Sequence, residues 1–501
     1  MSTTNKRRHV VVIGGGVGGY TAAIRAAREG LDVTLVESGE LGGTCLNVGC
    51  IPTKSLLHQA QVFREAGTLG HFGIDATRLS VAMGAVMGKK DEAVRKLVQG
   101  VNTLVRRNKI TLVKGTGELL DARTVRIRKT AAQLVADAVI IASGSEPVVP
   151  PIPGVALEGV VTSDGALAIT TLPKRVLIVG GGVIGVEFAQ IFSDFGASVT
   201  VVERLERLVA EEDIETVAVL QRSLARNGVD IVTGGAVEAI TRKDGQLSVR
   251  FSTSAGARDV AVDLVLVAVG RRPRLKELCL EKAGVKLAAG AIATDDRCRT
   301  NLPNVYAVGD VRGGLLLAHK AAAEGECAVA DILGHPWSMT GRAVPRAVYT
   351  TPEIAAVGLT EEEARKAHPN LKVGRFPFSA SGKAIASGHV DGFVKVLADG
   401  ATDQVVGVAM VGLDVTNLLG EATLAVQMEL TLPALMETIH AHPTLTEALM
   451  EAARDAYDGG AIHLPPNALA ASSRHFANHT SSIGDCMKFE HPLSASLRAV
   501  P

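Results

Sequence analysis

The sequence predicts an α/β fold in which one strand–turn–helix–strand unit occurs twice and an α+β domain follows. Apolar strands at His9–Ile13 and Arg175–Val179 each run into a G-x-G-x-x-G turn and then a helical pattern. The next strand of each unit ends in an acid, Glu37 in the first and Glu203 in the second. From the first glycine of the turn to this acid there are 23 positions in both units. Two units in the same register arise by chance far less readily than one, so two Rossmann-like domains are predicted.

Glycine turns of this kind bind the pyrophosphate of a dinucleotide. They permit a tight turn and close approach of the backbone, so the phosphates rest on the N-terminus of the following helix. The glycines concerned are Gly14, Gly16 and Gly19 in the first unit and Gly180, Gly182 and Gly185 in the second. Glu37 and Glu203 are placed to bond a ribose hydroxyl. Two bound dinucleotides are therefore expected.

A glycine-punctuated segment, Gly42–Lys54, follows the first unit and contains Cys45 and Cys50. Pro52 opens an apolar helical pattern, and proline is favoured in the first turn of a helix. The N-terminus of a helix favours thiolate over thiol, so two thiols held there can cycle between dithiol and disulfide. Two nearby cysteines alone would equally suit a structural role. The adjoining dinucleotide unit favours the redox interpretation.

Composition excludes several classes of protein. The chain has 501 residues, with 52 Lys plus Arg against 52 Asp plus Glu, which argues against a nucleic-acid-binding protein. No uncharged apolar run reaches the length of a membrane span, and no signal peptide precedes the first strand, so a cytoplasmic protein is expected. Most of the scattered cysteines are interpreted as small apolar side chains; they are Cys279, Cys298, Cys327 and Cys486.

The chain divides into five predicted parts. Residues 1–150 form the first nucleotide domain, interrupted by a long helical section at Ser55–Asn108, and a proline-rich joint at Pro147–Pro153 closes it. The second nucleotide domain is 151–279, a central domain is 280–347, and an α+β unit with two or three helices is 348–463. The extension 464–501 is rich in Ser, Ala and His. Its His475, His479, Cys486 and His491 fit no metal motif, and no metal is predicted.

These features resemble the pyridine nucleotide–disulfide oxidoreductases, and within that family the enzymes that oxidise dihydrolipoyl groups. The resemblance extends over about residues 9–463 and includes three further motifs, at Val269–Pro273, Tyr306–Asp310 and His440–Thr444. It implies that the first domain binds FAD, that the second binds NAD, and that the central domain returns to the first. It also implies that the α+β unit is a dimer interface. One departure is Ser143, where the family usually has threonine, but serine keeps the hydroxyl.

The resemblance also implies the binding residues. Those expected to contact FAD are Gly14, Gly16, Gly19, Glu37, Gly43, Thr44, Lys54, Gly115, Ser143, Gly144, Ser145, Asp310, Leu316, Leu317, Ala318 and His319. Those expected to contact NAD are Gly180, Gly182, Gly185, Glu187, Glu203, Val237 and Gly270. Lys54 and Glu187 are expected to form a pair near the reactive nitrogen of the flavin.

A histidine near the end of the chain is the predicted base. A dithiol must lose a proton before it attacks a disulfide, and histidine suits this task near neutral pH. His442 is followed five residues later by Glu447, whose carboxylate would orient the ring and stabilise its charged form. The family places its base here, whereas His440 is interpreted as structural. By resemblance, Cys45 exchanges with the substrate and Cys50 lies against the flavin.

The implied function is the reoxidation of protein-bound dihydrolipoyl groups by NAD⁺. The expected partner is a lipoyl-bearing protein of a 2-oxo acid dehydrogenase or related complex, because no lipoyl domain precedes the first unit. The enzyme is expected to be a homodimer whose subunits share each active site. One alternative is a glutathione reductase-like enzyme that uses NADPH. Arg204 and Arg207 could bind the extra phosphate of NADPH, whereas the carboxylate of Glu203 would repel it. Another is a non-catalytic FAD- and NAD-binding partner that senses redox state; it would have no need of Cys45, Cys50, His442 and Glu447 together.

Overall fold

A parallel five-stranded sheet forms the centre of the first domain. The computed structural model describes residues 7–75, 79–335 and 337–464. Up to residue 150 the helices and strands are β1 (His9–Ile13), α1 (Val17–Arg28), β2 (Asp32–Glu37), α2 (Gly43–Val48), α3 (Cys50–Ala66), α4 (Met83–Arg107), β3 (Thr111–Lys114), β4 (Gly117–Leu119), β5 (Thr124–Ile127), β6 (Gln133–Val135), β7 (Ala138–Ile141) and β8 (Ser145–Pro147). The helical section expected at Ser55–Asn108 is therefore two helices, α3 and α4, and α3 already begins at Cys50.

The second domain repeats this arrangement. Its elements are β9 (Val160–Thr162), α5 (Ser163–Ala166), β10 (Arg175–Val179), α6 (Val183–Asp194), β11 (Ser198–Val202), α7 (Ile214–Arg226), β12 (Asp230–Val232), β13 (Val237–Lys243), β14 (Gln246–Thr253), β15 (Gly256–Val262), β16 (Leu264–Val267) and β17 (Arg271–Pro273). The strand order β12-β11-β10-β16-β9 is parallel, and β13–β15 form a separate antiparallel sheet. Strand β17 returns to the first domain and pairs with β8.

The next segment adds the last strand of the first sheet. It contains α8 (Leu280–Ala283), β18 (Leu287–Ala288), β19 (Ala291–Ile292), β20 (Val305–Ala307) and α9 (Ala318–Leu333). Strand β20 pairs in parallel with β7 and completes the order β20-β7-β1-β2-β3. Helix α9 packs against α1. A segment far along the chain thus reaches the same edge of the sheet as the first glycine turn.

The C-terminal domain has an antiparallel sheet of order β21-β22-β25-β24-β23. Its elements are β21 (Arg346–Val348), β22 (Glu353–Gly358), α10 (Glu361–Ala367), β23 (Lys372–Pro377), α11 (Gly382–Ser387), β24 (Phe393–Ala398), β25 (Val405–Gly412), α12 (Leu419–Gln427), α13 (Leu432–Glu437) and α14 (Glu447–Asp458). The expected two or three helices are five in the described part, because short, cap-bounded helices leave little periodic pattern in the sequence.

Both parallel sheets are buried on both faces, which explains why their strands are continuous apolar runs. In β1, Val10 and Val12 join one core cluster while Val11 and Ile13 join another on the opposite face. Strand β10 behaves in the same way, with Val176 and Ile178 on one side and Leu177 on the other. Among the helices that the structure describes, none has the length and apolarity needed to cross a membrane.

A buried group of charges joins the second and C-terminal domains. The ammonium of Lys395, whose side chain is 0% exposed, lies 2.9 Å from both carboxylate oxygens of Asp213 and 2.8 Å from Glu361. Glu215 lies 3.0 Å from the same ammonium and also binds Arg375. Hydrogen bonds from Arg375 and Lys395 lower the pKa of Glu215 to about 2. This cluster fixes the C-terminal domain against the N-terminus of α7, which Asp213 caps.

Candidate active site

Most residues expected to bind FAD lie at one edge of the first sheet. The strands β1, β2, β3, β7 and β20 are parallel, so their carboxyl ends meet at this edge. The residues that follow these ends are Gly14–Gly16 after β1, Glu37 at the end of β2, Gly115 after β3, Ser143–Ser145 after β7 and Asp310 after β20. In open α/β sheets, ligands bind in the crevice outside the carboxyl ends of the strands. The structure therefore brings this set together as expected.

The first glycine turn fits a pyrophosphate. Gly14 has φ +105°, and a Cβ there would lie 2.3 Å from the carbonyl oxygen of Ala142, so only glycine is tolerated. Gly16 precedes α1, and the nearest atom to a Cβ there would be the Cα of Gly43 at 3.8 Å. The N-terminus of α1 is thus open to an anion, which its N–H groups and dipole favour.

The second glycine turn has the same geometry at the carboxyl edge of the second sheet. Gly180 has φ +106°, and a Cβ on Gly182 would meet no atom within 4 Å. Glu203 accepts a 2.6 Å hydrogen bond from the Gly181 N–H and a 2.8 Å bond from the Leu205 N–H. In the first domain, Glu37 likewise accepts a 2.6 Å hydrogen bond from the Gly15 N–H. Each acid therefore braces its own glycine turn, a role that the sequence did not predict, and each oxygen keeps a second acceptor site for a ribose hydroxyl.

The cysteine segment is attached to the first glycine turn. The Gly42 N–H donates to the Gly15 carbonyl at 2.8 Å, and Gly43, at φ +56°, packs directly on Gly16. Cys45 lies in the short helix α2, and Cys50 is the first residue of α3. Helix α2 was not expected from the sequence. It turns Cys45 back toward Cys50, and the two thiols are hydrogen-bonded to each other.

Electrostatics favour the thiolate on Cys50. A hydrogen bond from the Cys45 thiol and the nearby Lys54 ammonium together lower the pKa of Cys50 to about 7, although burial acts to raise it. The same hydrogen bond, together with burial, raises the pKa of Cys45. The two sulfurs therefore differ: Cys50 is the better leaving group, and Cys45 carries the proton of the reduced pair.

Lys54 and Glu187 form the expected pair. The ammonium donates to both carboxylate oxygens, at 2.8 and 2.9 Å, and the Glu187 side chain is only 3% exposed. Tyr349 completes the group, because its N–H donates to Glu187 at 3.1 Å and its ring lies 4.5 Å from the Lys54 nitrogen. Burial would lower the pKa of Lys54, but Glu187 outweighs this effect and the pKa is raised. Tyr349 was not predicted.

A hydrogen-bonded chain connects the two domains beside the cysteines. Ser145 donates to Asp310 at 2.6 Å and accepts a 2.9 Å hydrogen bond from Arg271. Arg271 also lies 3.4 Å from the Thr44 hydroxyl. Asp310, Ser145 and Thr44 were expected near FAD, whereas Arg271 was recognised only as part of a motif. Its guanidinium links the return strand β17 to the helix that carries Cys45.

The remaining residues predicted to contact FAD or NAD lie in turns or at the ends of helices and strands. The Gly115 N–H donates to the Glu37 carbonyl at 2.9 Å, and the Ser143 hydroxyl donates to the Arg274 carbonyl at 2.9 Å. Leu316 and Leu317 lead into α9, which begins with Ala318 and His319. In the second domain, Val237 begins β13 and Gly270 precedes β17. Their contacts with a nucleotide remain predictions.

His442 and Glu447 form a pair in the C-terminal domain. The ring Nδ1 lies 2.9 Å from one carboxylate oxygen, and the other oxygen accepts a 2.8 Å bond from the Thr444 N–H. Burial acts to raise the pKa of Glu447, but these two hydrogen bonds outweigh it and the pKa is lowered. The His442 side chain is 74% exposed and α14 packs on β23, β24 and α13, whereas the cysteines lie on α2 and α3. The nearby His440 binds Glu421 at 2.8 Å and has a side chain that is 5% exposed, in agreement with a structural role.

The tail histidines considered as metal ligands lie outside the described residues, as does Cys486.

Comparison with known families gives matches to both parts of the chain. The family model described as pyridine nucleotide-disulphide oxidoreductase matches residues 8–325. The model of the dimerisation domain of the same family matches residues 344–453. The second match begins close to β21 and ends within α14, so it includes the segment with His442 and Glu447.

Curated relatives match nearly the whole chain. The dihydrolipoyl dehydrogenase of Thermus scotoductus is 43% identical over 464 residues, which are 92% of this chain and 99% of the relative. A dihydrolipoyl dehydrogenase of Bacillus subtilis is 40% identical over 470 residues, 91% of this chain and 98% of the relative. Among solved structures, the flavoprotein disulfide reductase RclA of Escherichia coli has a TM-score of 0.80 at 30% identity and covers 89% of this chain and 99% of its own.

Proposed function

Since the chain belongs to the pyridine nucleotide–disulphide oxidoreductase family, we propose that it works as a dihydrolipoyl dehydrogenase, which passes two electrons from a dihydrolipoyl group to NAD⁺. The observation that carries this proposal is the thiol pair Cys45–Cys50 at the N-terminus of α3, one helical turn from the Lys54–Glu187 pair. Along the chain, this thiol pair lies between two glycine turns that both fit a pyrophosphate.

The two cofactors are FAD in the first domain and NAD in the second. The residues that would hold FAD are those at the carboxyl edge of the first sheet, with Gly14–Gly16 beneath the pyrophosphate. Those that would hold NAD follow β10 and β11, with Gly180–Gly182 in the same role. When bound, FAD supplies the two-electron chemistry that connects the thiol pair to NAD⁺. The protein contributes placement and charge.

The cysteines exchange disulfide for dithiol with the substrate. In the oxidised enzyme, one thiolate of the dihydrolipoyl group attacks the Cys45 sulfur, the Cys45–Cys50 bond breaks, and Cys50 leaves as a thiolate. The second substrate thiolate then attacks the substrate sulfur of this mixed disulfide, which closes the lipoyl ring and releases Cys45. The pKa of about 7 makes Cys50 a good leaving group near neutral pH.

His442 accepts the substrate protons at Nε2. Glu447 is a pure acceptor when ionised, so Nδ1 carries the hydrogen of their 2.9 Å bond and Nε2 is left with a free lone pair. The carboxylate then stabilises the imidazolium that forms. Its own position is fixed by the Thr444 N–H, so the ring has a defined orientation although it is largely exposed.

Each active site takes its base from the second subunit of a homodimer. Two observations support this part of the proposal: His442 lies in the family's dimerisation domain, on different elements from the cysteines, and 74% of its side chain is exposed. The same loop carries Ile439, which is 97% exposed, and Leu424 on the nearby α12 and Met428 just after that helix are exposed as well. Large apolar side chains in this state are typical of a surface that a partner covers.

The lipoyl group arrives on another protein. A lipoyl arm is a flexible substrate, and the enzyme that it serves is of the 2-oxo acid dehydrogenase type or a related complex. The exposed histidine on the rim of a shared site is compatible with a substrate that enters from solvent on a long arm.

A kinetic comparison of substrates tests the function. The FAD-loaded enzyme is assayed with dihydrolipoamide and NAD⁺, and in reverse with lipoamide or glutathione disulfide and either NADH or NADPH. The highest kcat/KM is expected for the lipoyl pair with NAD. A preference for glutathione disulfide with NADPH would instead assign a glutathione reductase-like activity, and flavin reduction by none of these dithiols would favour a non-catalytic role.

A further inference from the structure

A second pair of cysteines, Cys298 and Cys327, lies in the core of the first domain. Both residues are 0% exposed and belong to one apolar cluster, where the Cys327 sulfur lies 4.0 Å from the carbonyl oxygen of Asp296, two residues before Cys298. The interaction between the two thiols raises the pKa of Cys298 and lowers that of Cys327. From the sequence, these scattered cysteines are interpreted as small apolar side chains, and 28 residues lie between positions 298 and 327. Their burial agrees with that view, but their contact does not follow from it.

Each sulfur is carried by a well-fixed backbone. Cys298 sits in a turn before β20 at φ +64°, where its N–H donates to the Asp295 carbonyl at 3.2 Å and its carbonyl accepts from the Ala307 N–H at 3.0 Å. Cys327 lies within α9, and its sulfur is 3.6 Å from the Trp337 carbonyl. The contact between the two sulfurs is therefore set by the packing of α9 against the turn.

A guanidinium group approaches the pair. Nη1 of Arg312 donates to the sulfur of Cys298 at 3.2 Å and lies 3.0 Å from Glu324, and the Arg312 side chain is only 15% exposed. The guanidinium also donates to the Asp295 carbonyl at 3.1 Å, so its position beside the Cys298 sulfur is fixed. The pKa of Cys298 is raised by its interaction with Cys327 and by burial, whereas the pKa of Cys327 is lowered by the interaction with Cys298 and by Arg312. Cys327 therefore supplies the thiolate, which is the form of cysteine that reacts with oxidants.

We propose that Cys298 and Cys327 are a second redox-active dithiol, separate from Cys45 and Cys50, which a small hydroperoxide oxidises to a disulfide. One thiolate attacks a peroxide oxygen, the O–O bond breaks, and a sulfenic acid and one water or alcohol form. The second thiol attacks the sulfenic sulfur and releases water, so two thiols lose two electrons and the peroxide gains them. A small co-reactant is required because both sulfurs are buried, which excludes a protein disulfide.

The disulfide would tether α9 to the turn that precedes β20. The effect reaches the FAD edge through Arg312, because Glu324 binds both this arginine and the Gly309 N–H, the latter at 2.6 Å. Gly309 precedes Asp310, and α9 begins at the residues expected to line the flavin. Oxidation thus converts the sulfur acceptor of Arg312 from a thiol to a disulfide sulfur and joins two segments that border the cofactor site.

Disulfide mapping tests the pair directly. The full-length, FAD-loaded Cys45→Ser/Cys50→Ser protein is treated with hydrogen peroxide, alkylated, and analysed by non-reducing peptide mapping. A cross-link between the peptides of Cys298 and Cys327 is expected, with the loss of two hydrogens from the chain and reversal by dithiothreitol. Cys298→Ser and Cys327→Ser should each abolish it, and Cys279→Ser, outside the pair, should leave it. Unreacted thiols, or separate sulfinic or sulfonic acids without a cross-link, would overturn the proposal.

A second measurement addresses the tether. The cross-linked protein should melt about 3–6 °C above its reduced form, since a disulfide restricts the unfolded chain. A Cys298→Ala/Cys327→Ala variant in the same background should show no change of Tm on peroxide treatment. Arg312→Gln should slow cross-linking roughly tenfold if the guanidinium stabilises the reacting thiolate. Equal Tm values for the cross-linked and reduced forms would refute the tether, and an unchanged rate would refute the role of Arg312.

Discussion

Lys54 and Glu187 join the two nucleotide-binding domains through hydrogen bonds of 2.8 and 2.9 Å beside the cysteine pair. Lys54 is one helical turn after Cys50 on α3, so its ammonium faces the same side as the thiol. Glu187 lies on α6 of the second domain and also accepts the N–H of Tyr349. One buried charge pair therefore fixes the domains relative to each other and helps set the protonation of Cys50.

Replacing Lys54 by methionine should raise the pKa of the Cys50 thiol. The pKa is lowered to about 7 mainly by the Cys45 hydrogen bond and then by Lys54, so losing the ammonium should shift it upward by about one unit. The thiolate exists above the pKa, and less of it remains at pH 7.5. In the two-electron-reduced flavoprotein, the long-wavelength thiolate band should therefore titrate at higher pH. Lys89→Met, on the exposed face of α4, is the control, and an unmoved midpoint would contradict the assignment.

Cys45→Ser should abolish oxidation of dihydrolipoamide while FAD stays bound. Serine cannot form the mixed disulfide, but its hydroxyl can still donate to Cys50, whose thiolate should give a long-wavelength band. Turnover should fall at least about a thousandfold, as for loss of an essential nucleophile. Cys279→Ser serves as the matched control and should retain wild-type turnover. Steady-state turnover of Cys45→Ser near the wild-type rate would rule out the disulfide mechanism.

Glu203 should favour NAD over NADP. Its carboxylate would repel a ribose phosphate, and it also braces the glycine turn through the Gly181 N–H at 2.6 Å. Glu203→Ala should lower kcat/KM for NAD and therefore reduce the ratio of kcat/KM for NAD to kcat/KM for NADP. Glu203→Gln keeps an acceptor for the Gly181 N–H but loses the charge. It should also reduce the ratio of kcat/KM for NAD to that for NADP, with a smaller fall in kcat/KM for NAD. A preference of the unmodified enzyme for NADP would contradict the role of Glu203 in selecting NAD.

Mixing two inactive variants should restore activity if the subunits share each site. Cys50→Ser and His442→Gln homodimers should both be nearly inactive, the latter by about 10²- to 10⁴-fold. Random exchange of equal amounts makes about half of the dimers mixed, and one of the two sites in each has neither defect. Activity should thus return to roughly a quarter of wild type. No recovery after proven subunit exchange would show that the base comes from the same chain as the cysteines.

Lys395→Met should destabilise the junction of the second and C-terminal domains. It leaves Asp213, Glu215 and Glu361 without their shared, fully buried cation. Removing one partner of a buried ion pair costs about 3–5 kcal/mol. Lys366→Met is the matched control, because Lys366 and Glu362 are 73% and 69% exposed and a solvent-exposed ion pair contributes little to stability. Thermal melts and urea unfolding should show a large loss for the first variant only, and equal losses would contradict the structural role.

The local pattern of the sequence determined the repeated units. The strands β1 and β10 have the bounds that were predicted, since buried parallel strands are continuous apolar runs closed by glycine or acid. The family and the FAD and NAD cofactors were likewise recognised from motifs that are short and contiguous. The pairing of His442 with Glu447, five residues apart, was within reach for the same reason.

Other features were decided only by the tertiary structure. Arg271 donates a hydrogen bond to Ser145, and Lys395 forms ion pairs with three carboxylates. Cys298 and Cys327 lie in the same core cluster. All of these residues are far apart in the sequence. Hydrophobic periodicity indicates which face of an element is buried, but not which side chain of a distant element it will touch. These contacts depend on how sheets and helices pack, and packing is a property of the folded chain that no single segment contains.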